Sequence, residues 1–166
     1  ISPYNTTIIS ELVVTNVFPP NLKPGIIESI CLDIDHNNPE DLEMWIVAPN
    51  GDFILLSSDN GAGGANYENT CFSPDATTSV KNASAPFGGS FSPEGNWSDL
   101  IANGSPTNGT WKLMVRDDAI GSTGVLTKWS INFKPSYSLS YAWSGGDGID
   151  CLDCPLTDIT PTQTAV

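Results

Sequence analysis

Hydrophobic and polar residues alternate along several short stretches of the chain. Between positions 26 and 34, Ile26, Ile30, Leu32 and Ile34 fall on one side of a two-residue repeat. A repeat of two is that of a β-strand with one buried face, whereas a helix repeats every 3.6 residues. The same pattern predicts strands at residues 8–16, 26–34, 42–47, 53–56, 110–116 and 125–133.

Turn-forming residues join the third and fourth predicted strands into a hairpin. The connection contains Asn50 and Gly51, and this dipeptide adopts the positive φ of a tight turn at little cost. Because the two strands run in opposite directions, we expect Asp41 and the glycine-rich loop of residues 59–69 to lie at the same end of the sheet.

The second half of the chain has fewer apolar runs. Residues 74–109 are predicted to form a long ordered loop that its aromatic side chains hold on the sandwich, and the last two strands are expected to form a closing hairpin around residues 117–124. We therefore predict an all-β fold, a jelly-roll-like antiparallel β-sandwich over residues 1–135, followed by a short C-terminal extension over residues 136–166.

Composition and charge narrow the class of protein. The 166 residues suffice for one domain with a short appendage, and 6 Lys+Arg against 19 Asp+Glu give a net charge of −13. Such a charge disfavours nucleic acid and anionic lipid as partners, and no apolar run is long enough for membrane insertion. The high Gly and Pro content is typical of secreted all-β proteins, so we predict an extracellular location. A first residue other than Met suggests a processed product or a piece of a longer protein.

Four cysteines allow three pairings. Cys31 lies in the second predicted strand and Cys71 lies just after the glycine-rich loop, so a long-range bridge between them is open. Cys151 and Cys154 form a C-x-x-C pair surrounded by Gly, Asp and Pro, without a helical pattern. We expect a local disulfide there rather than a zinc or redox site.

Acidic and amide side chains concentrate in the predicted loops. Calcium takes six to eight oxygen ligands from carboxylates, amides, backbone carbonyls and water. A main calcium site is predicted from Asp35, Asp41, Asn66, Glu68, Asn69 and Asp75. A second site is predicted from Asp117 and Asp118 with the backbone of residues 121–124. The alternative is that these side chains only stabilise turns, since Asp and Asn bond nearby backbone N–H groups.

Catalytic motifs are missing from the sequence. His36 is the single histidine, no Ser or Cys nucleophile motif accompanies it, and we expect it to be a solvated loop residue. The carboxylates near it are read as a cation site rather than a glycosidase pair. We predict that the chain is not an enzyme. Trp97, in a predicted loop, is the tryptophan to test for exposure to a sugar ligand.

Two motifs follow each other in order along the predicted strands. Asp-Leu-x-x-x-Ile-x-x-Pro-x-Gly begins at Asp41, and Gly-x-Trp-x-Leu-x-Val-x-Asp begins at Gly109. Over residues 8–133 the chain resembles the P domain, the β-sandwich that follows the subtilisin-like protease domain in proprotein convertases. Residues 84–95 are similar to bacterial members, and residues 136–166 resemble the start of PKD-like repeats of large Bacteroidetes proteins.

The resemblance implies an accessory module without its own catalytic residues. The first hypothesis is an extracellular, calcium-binding β-sandwich that stabilises neighbouring domains of a longer chain or contacts other proteins; some members of the family bind calcium. The alternatives are a carbohydrate-binding or adhesin module with glycan ligands, and the P domain of a subtilisin-like protease whose catalytic domain lies outside this chain.

Overall fold

Eight strands build the part of the chain that the structure, a computed structural model, describes, residues 5–61 and 63–134. They are β1 (Thr6–Val14), β2 (Ile27–His36), β3 (Leu42–Val47), β4 (Phe53–Ser58), β5 (Tyr67–Phe72), β6 (Phe87–Phe91), β7 (Gly109–Asp117) and β8 (Gly124–Phe133). Three short 3-10 turns also lie within these residues. None of the helical segments described is long and apolar enough to cross a membrane. The predicted extension over residues 136–166 and its cysteines lie outside the described residues, so the division into two parts stays a prediction.

The strands form two four-stranded sheets. One sheet has the order β1-β7-β3-β4 and the other has the order β6-β5-β2-β8. All strand pairs are antiparallel except β5 with β6, which is parallel. The inward faces of both sheets bury the core, including Tyr67, Phe72, Phe87 and Trp111. Each buried large apolar side chain contributes about 1.5–3 kcal/mol. The predicted all-β sandwich is confirmed.

The hairpin of β3 and β4 is present as predicted. Val47 lies opposite Phe53, and the N–H of Gly51 donates to the carbonyl of Ala48 at 2.9 Å. Gly51 has a φ of 94°, which a residue with a side chain rarely adopts. The N–H of Asp59 donates to the Leu42 carbonyl at 3.2 Å. The hairpin therefore places the end of β4 beside the start of β3.

The predicted closing hairpin of the last two strands is wrong. β7 lies between β1 and β3, so both of its edges are already paired. β8 pairs with β2 in the other sheet. The connection between β7 and β8 thus crosses from one sheet to the other, and it links the two layers at the end of the sandwich that contains Asp117.

The segment predicted as one long loop holds more regular structure than expected. Residues 87–91 form β6, and the 3-10 turns Val80–Asn82 and Trp97–Leu100 lie on either side of it. β5, which carries Cys71, begins within the predicted glycine-rich loop: its first three residues are Tyr67, Glu68 and Asn69. Both strands contain few apolar residues, which is why their pattern did not predict them.

The loop after β6 covers the free edge of β4. The N–H groups of Glu94 and Gly95 donate to the carbonyls of Leu56 and Leu55 at 3.3 and 2.8 Å. The Glu94 carboxylate accepts from the Ser58 N–H at 2.8 Å and pairs with Lys81 at 2.8 Å. Burial alone would raise the pKa of Glu94, but the hydrogen bonds and Lys81 outweigh it and hold that pKa below its ordinary value.

Cys31 and Cys71 form a disulfide between neighbouring strands. The two residues lie directly opposite each other in β2 and β5, with an S–S distance of 2.04 Å. The bridge therefore joins the strands in the middle of their ladder, 40 residues apart in sequence.

The start of the first described strand and the end of the last lie at opposite ends of the sandwich. We call the end with His36, Asp41 and Asp117 the acidic end. β1 begins there, because Thr6 lies opposite Asp117. β8 ends at the other end, which we call the exit end, where Phe133 lies opposite Ile27.

Candidate functional site

Three carboxylates converge at the acidic end. One oxygen each from Glu43, Asp59 and Asp118 lies within 4.8 Å of the other two. Glu43 is at the start of β3, Asp59 follows β4 and Asp118 follows β7. Because β7, β3 and β4 are antiparallel neighbours in one sheet, the end of β7, the start of β3 and the end of β4 meet at the same end of the sheet. We call this group the carboxylate cluster.

Arg116 partly neutralises the carboxylate cluster. Its Nη1 is 3.2 Å from Glu43 Oε2, and its Nη2 is 3.7 Å from Asp118 Oδ2. Glu43 Oε2 is buried, and no group within the described residues meets it with hydrogen-bond geometry. The cluster therefore has three carboxylates and one guanidinium group, and one buried carboxylate oxygen has no hydrogen bond within the described residues. Oxygen ligands of this kind suit a hard cation such as calcium.

His36 and Asp117 form a buried pair at the acidic end, between the two sheets. They are 2% and 1% exposed, and His36 Nε2 is 3.2 Å from Asp117 Oδ2. His36 Nδ1 lies 2.8 Å from the carbonyl oxygen and 3.2 Å from the backbone nitrogen of Asn38. The prediction of a solvated loop histidine is wrong, because His36 is the last residue of β2 and its ring connects one sheet to β7 in the other.

Five of the predicted calcium ligands lie at the acidic end without forming one group: Asp35, Asp41, Asn66, Asp117 and Asp118. Asp118 belongs to the carboxylate cluster, and its N–H donates to the Asp41 carbonyl at 3.0 Å. Asp35 and Asn66 line a separate polar cleft of about 220 Å³ beside His36. The Asn66 side-chain oxygen accepts from the His36 N–H at 3.0 Å.

Asp117 serves its own turn and the buried pair. Besides facing His36, its carboxylate accepts from the Ala119 N–H at 3.3 Å. Asp117 and Asp118 therefore point to different partners, although they are neighbours in sequence.

The remaining predicted ligands follow β5 away from the carboxylate cluster. Glu68 accepts from the Asn66 side-chain amide at 3.1 Å, and the Asn69 N–H donates to Asp33. Asp75 lies beyond β5 at the exit end, with its carboxylate 3.1 Å from Lys134 Nζ. The six residues of the predicted main site thus do not surround one point, because β5 runs through part of the segment predicted as a loop.

Sequence reasoning missed Glu43 and Asp59 as members of the cluster. The sequence contained two indications of these residues. Glu43 faces outward in the alternation of β3, and the predicted hairpin already placed the end of β4 beside it. The sequence did not show that β7 lies between β1 and β3. This position brings Asp118 to the same end of the sheet as Glu43 and Asp59.

Asp33, on the β6-β5-β2-β8 sheet, forms an ion pair with a lysine. Lys128 Nζ lies 2.7 Å from Asp33 Oδ2. This hydrogen bond is the main reason that the pKa of Asp33 is below its ordinary value. Asp33 therefore stays ionised as the partner of Lys128 on the face of β2 and β8.

The outer face of the β1-β7-β3-β4 sheet carries an apolar strip. Ile9, Met114 and Trp45 lie side by side on β1, β7 and β3. Val47 and Phe53 continue the strip on β3 and β4. Ile9 is 55% exposed and Phe53 is 60% exposed. A contiguous exposed apolar surface of this kind marks a contact site more often than scattered apolar residues do.

Trp97, the tryptophan chosen to test for exposure to a sugar ligand, is partly covered rather than fully exposed. It begins a 3-10 turn, is half-buried and packs against the core. The preceding Asn96 caps this turn by accepting from the Ser98 N–H at 3.0 Å. The local structure therefore turns Trp97 toward the sandwich.

The described residues form a two-layer all-β sandwich with loops and carboxylates gathered at one end. Residues 29–133 match the family of the proprotein convertase P-domain, a span of more than half of the chain, and the chain belongs to this family. Its members are non-catalytic accessory β-sandwiches. A search of the curated proteins gives no match. The bacterial subtype and the PKD-like repeat stay predictions.

Proposed function

We propose that this chain is an accessory domain that packs against the domain preceding it in a longer secreted or cell-surface protein, and stabilises that domain. The observation that carries the proposal is the apolar strip on the outer face of the β1-β7-β3-β4 sheet. The P-domain family favours a subtilisin-like protease domain as the neighbour. The family and the disulfide between Cys31 and Cys71 both favour an extracellular setting.

The path of the chain supports a neighbour on this face. β1 is an edge strand of the same sheet, and its first residue, Thr6, lies at the acidic end. A domain joined to the start of β1 would therefore be attached next to the strip. Ile9 and Phe53 are more than half exposed, and covering an exposed side chain of this size contributes about 1.5–3 kcal/mol.

The test uses the longer protein with its preceding domain in place. In that protein, the double variant Ile9→Ser/Phe53→Ser should lower the melting temperature of the preceding domain, while the isolated chain keeps its own. Val125→Ser is the matched control, because Val125 is 59% exposed but lies on β8 in the other sheet. If the double variant and the control leave the preceding domain equally stable, the strip is not the contact.

Calcium binding at the acidic end is the second part of the proposal. Glu43, Asp59 and Asp118 would hold the ion, and water and nearby backbone carbonyls would complete the six to eight ligands. What supports it is the excess of carboxylates over Arg116 and the buried Glu43 oxygen that has no hydrogen bond within the described residues. The ion would bind to the ends of β3, β4 and β7 at once, and so rigidify the end of the sandwich at which β1 begins.

Calorimetric titration with calcium tests this part. At one hundred times the Kd, an ion bound only by the folded state adds about 2.7 kcal/mol, which raises the melting temperature by about 5–11 °C. Asp59→Asn should abolish the rise, whereas Asp99→Asn, at an exposed carboxylate in the Trp97–Leu100 turn, should keep it. Absence of a heat of binding at millimolar calcium refutes the assignment.

A further inference from the structure

The disulfide between Cys31 and Cys71 lies on the outer face of the β6-β5-β2-β8 sheet. Ile30 and Leu32, the neighbours of Cys31 in β2, belong to the buried core. Because side chains alternate between the two faces of a strand, Cys31 points outward. Both cysteines are half-buried rather than buried. The bridge is therefore on the solvent side of the sheet, and exposed disulfides are the ones that exchange with thiols.

A cleft of about 210 Å³ opens over this disulfide. Both cysteines line it, together with Asn69 of β5 and with Lys128 and Ser130 of β8. A cavity of about 150 Å³ holds one benzene ring, so the cleft has room for the thiol-bearing end of a small molecule. A small thiol can therefore approach the bridge while the domain is folded.

The two sulfur atoms of the bridge have different surroundings. Cys31 Sγ accepts from the Asn132 side-chain amide at 3.4 Å, and the Ser29 hydroxyl oxygen lies 3.5 Å from the same sulfur. A bridged sulfur has no hydrogen, so Ser29 is the donor in that contact. Among residues 5–61 and 63–134, no donor bonds to Cys71 Sγ. The hydrogen bonds therefore polarise the bridge toward Cys31.

This asymmetry decides which sulfur an incoming thiolate attacks. In thiol–disulfide exchange the attacked sulfur forms the new bond, and the other sulfur leaves as a thiolate. Hydrogen bonds to a charged group are stronger than those to a neutral one. Asn132 and Ser29 thus stabilise the negative charge that grows on Cys31 Sγ as the bond breaks. Cys31 is the better leaving sulfur, and Cys71 is the sulfur attacked.

The approach to Cys71 is also open. A thiolate attacks a sulfur from the side opposite the bond that breaks, and for Cys71 this is the side of β6. Ser90 lies opposite Cys71 on β6, next to Gly89, and both residues are exposed. These two residues have little or no side chain, so they leave space for the incoming sulfur.

We propose that this disulfide is a thiol-exchange site, at which a thiol of low molecular weight becomes linked to Cys71. The incoming thiolate sulfur bonds to Cys71 Sγ, the bond between Cys71 Sγ and Cys31 Sγ breaks, and its electron pair stays on Cys31 Sγ. The disulfide is itself the oxidant in this step, so no further reactant is needed. Attack of the Cys31 thiolate on Cys71 Sγ expels the thiol again and restores the bridge.

Mass spectrometry on the full 166-residue chain shows which sulfur reacts. The folded protein is incubated with glutathione, and an excess of iodoacetamide then alkylates the released thiolate. Peptide mapping should find glutathione on Cys71 and the acetamide group on Cys31. The urea-unfolded chain, in which Asn132 and Ser29 no longer contact the bridge, should carry glutathione on either cysteine. Glutathione on Cys31, on neither cysteine, or in the same distribution as in the unfolded chain would overturn the proposal.

A pair of variants tests the stabilisation of the leaving sulfur. Asn132→Ala should slow the exchange with glutathione by about threefold to tenfold, because the lost hydrogen bond acts on a charge that is about half developed when the bond breaks. Ser130→Ala is the matched control and should leave the rate unchanged. Ser130 lies opposite Cys31 on the same strand and lines the same cleft, but it does not bond to either sulfur. Equal rates for the two variants, measured below both melting temperatures, would overturn the proposal.

Discussion

The disulfide between Cys31 and Cys71 gives the prediction whose magnitude follows most directly from the structure. The bridge closes a loop of about 40 residues, since the two cysteines are 40 apart in sequence. Closing such a loop removes about 13 cal/mol/K of entropy from the unfolded chain, or about 3.9 kcal/mol at 25 °C. The double variant Cys31→Ala/Cys71→Ala should therefore lower the free energy of unfolding by about that amount, and the melting temperature by about 8–16 °C.

Urea denaturation and scanning calorimetry measure this loss. The double variant Cys151→Ala/Cys154→Ala is the control, because these residues are only three apart and the same relation gives at most about 1.6 kcal/mol. A loss below about 1 kcal/mol at Cys31 and Cys71 would refute the argument from loop closure. A loss well above the expected value would mean that the bridge also holds the native ladder of β2 and β5 in place.

Three further predictions concern single side chains. His36→Phe should cost about 1–3 kcal/mol in urea denaturation, because it removes the hydrogen-bond partner of a buried Asp117 carboxylate oxygen; an unchanged value would contradict this. Glu94→Gln should cost about 1 kcal/mol at pH 7. Because the folded pKa of Glu94 is depressed, the wild-type advantage is complete above about pH 4.5 and fades as pH falls through the folded pKa; a gap independent of pH in denaturation curves speaks against it. Gly95→Ala should cost about 1–3 kcal/mol, since its Cβ would stand 2.8 Å from the β4 backbone. Gly88→Ala, whose nearest contact is 3.6 Å, is the calorimetric control, and equal melting temperatures would refute the clash.

The sequence predicted the elements whose pattern is local. β2 alternates so regularly that Ile30, Leu32 and Ile34 are all buried as expected. The hairpin of β3 and β4 follows from Asn50-Gly51, because a two-residue signal sets both the turn and the pairing. In these cases the information lies within a few residues, and tertiary structure does not override it.

The missed features depend on residues far apart in the sequence. β6 contains Gly88 and Gly89, and its place in the sheet comes from the parallel ladder with β5 rather than from its own propensity. The burial of His36 depends on Asp117, 81 residues away. In the candidate site, the predicted hairpin of β3 and β4 already brought Glu43 and Asp59 together. Asp118 joins them only because β7 lies between β1 and β3.

The start of β1 and the end of β8 lie at opposite ends of the sandwich, and this arrangement determines how the domain would respond to mechanical tension. A pull on β1 from the acidic end and on β8 from the exit end acts along both strands. β1 is held by nine register pairs with β7, and β8 is held along its length by β2. In this shear geometry the ladder bonds bear the load together rather than one after another. A sandwich connected in this way resists extension along its length, and the strands yield only when a whole ladder slides.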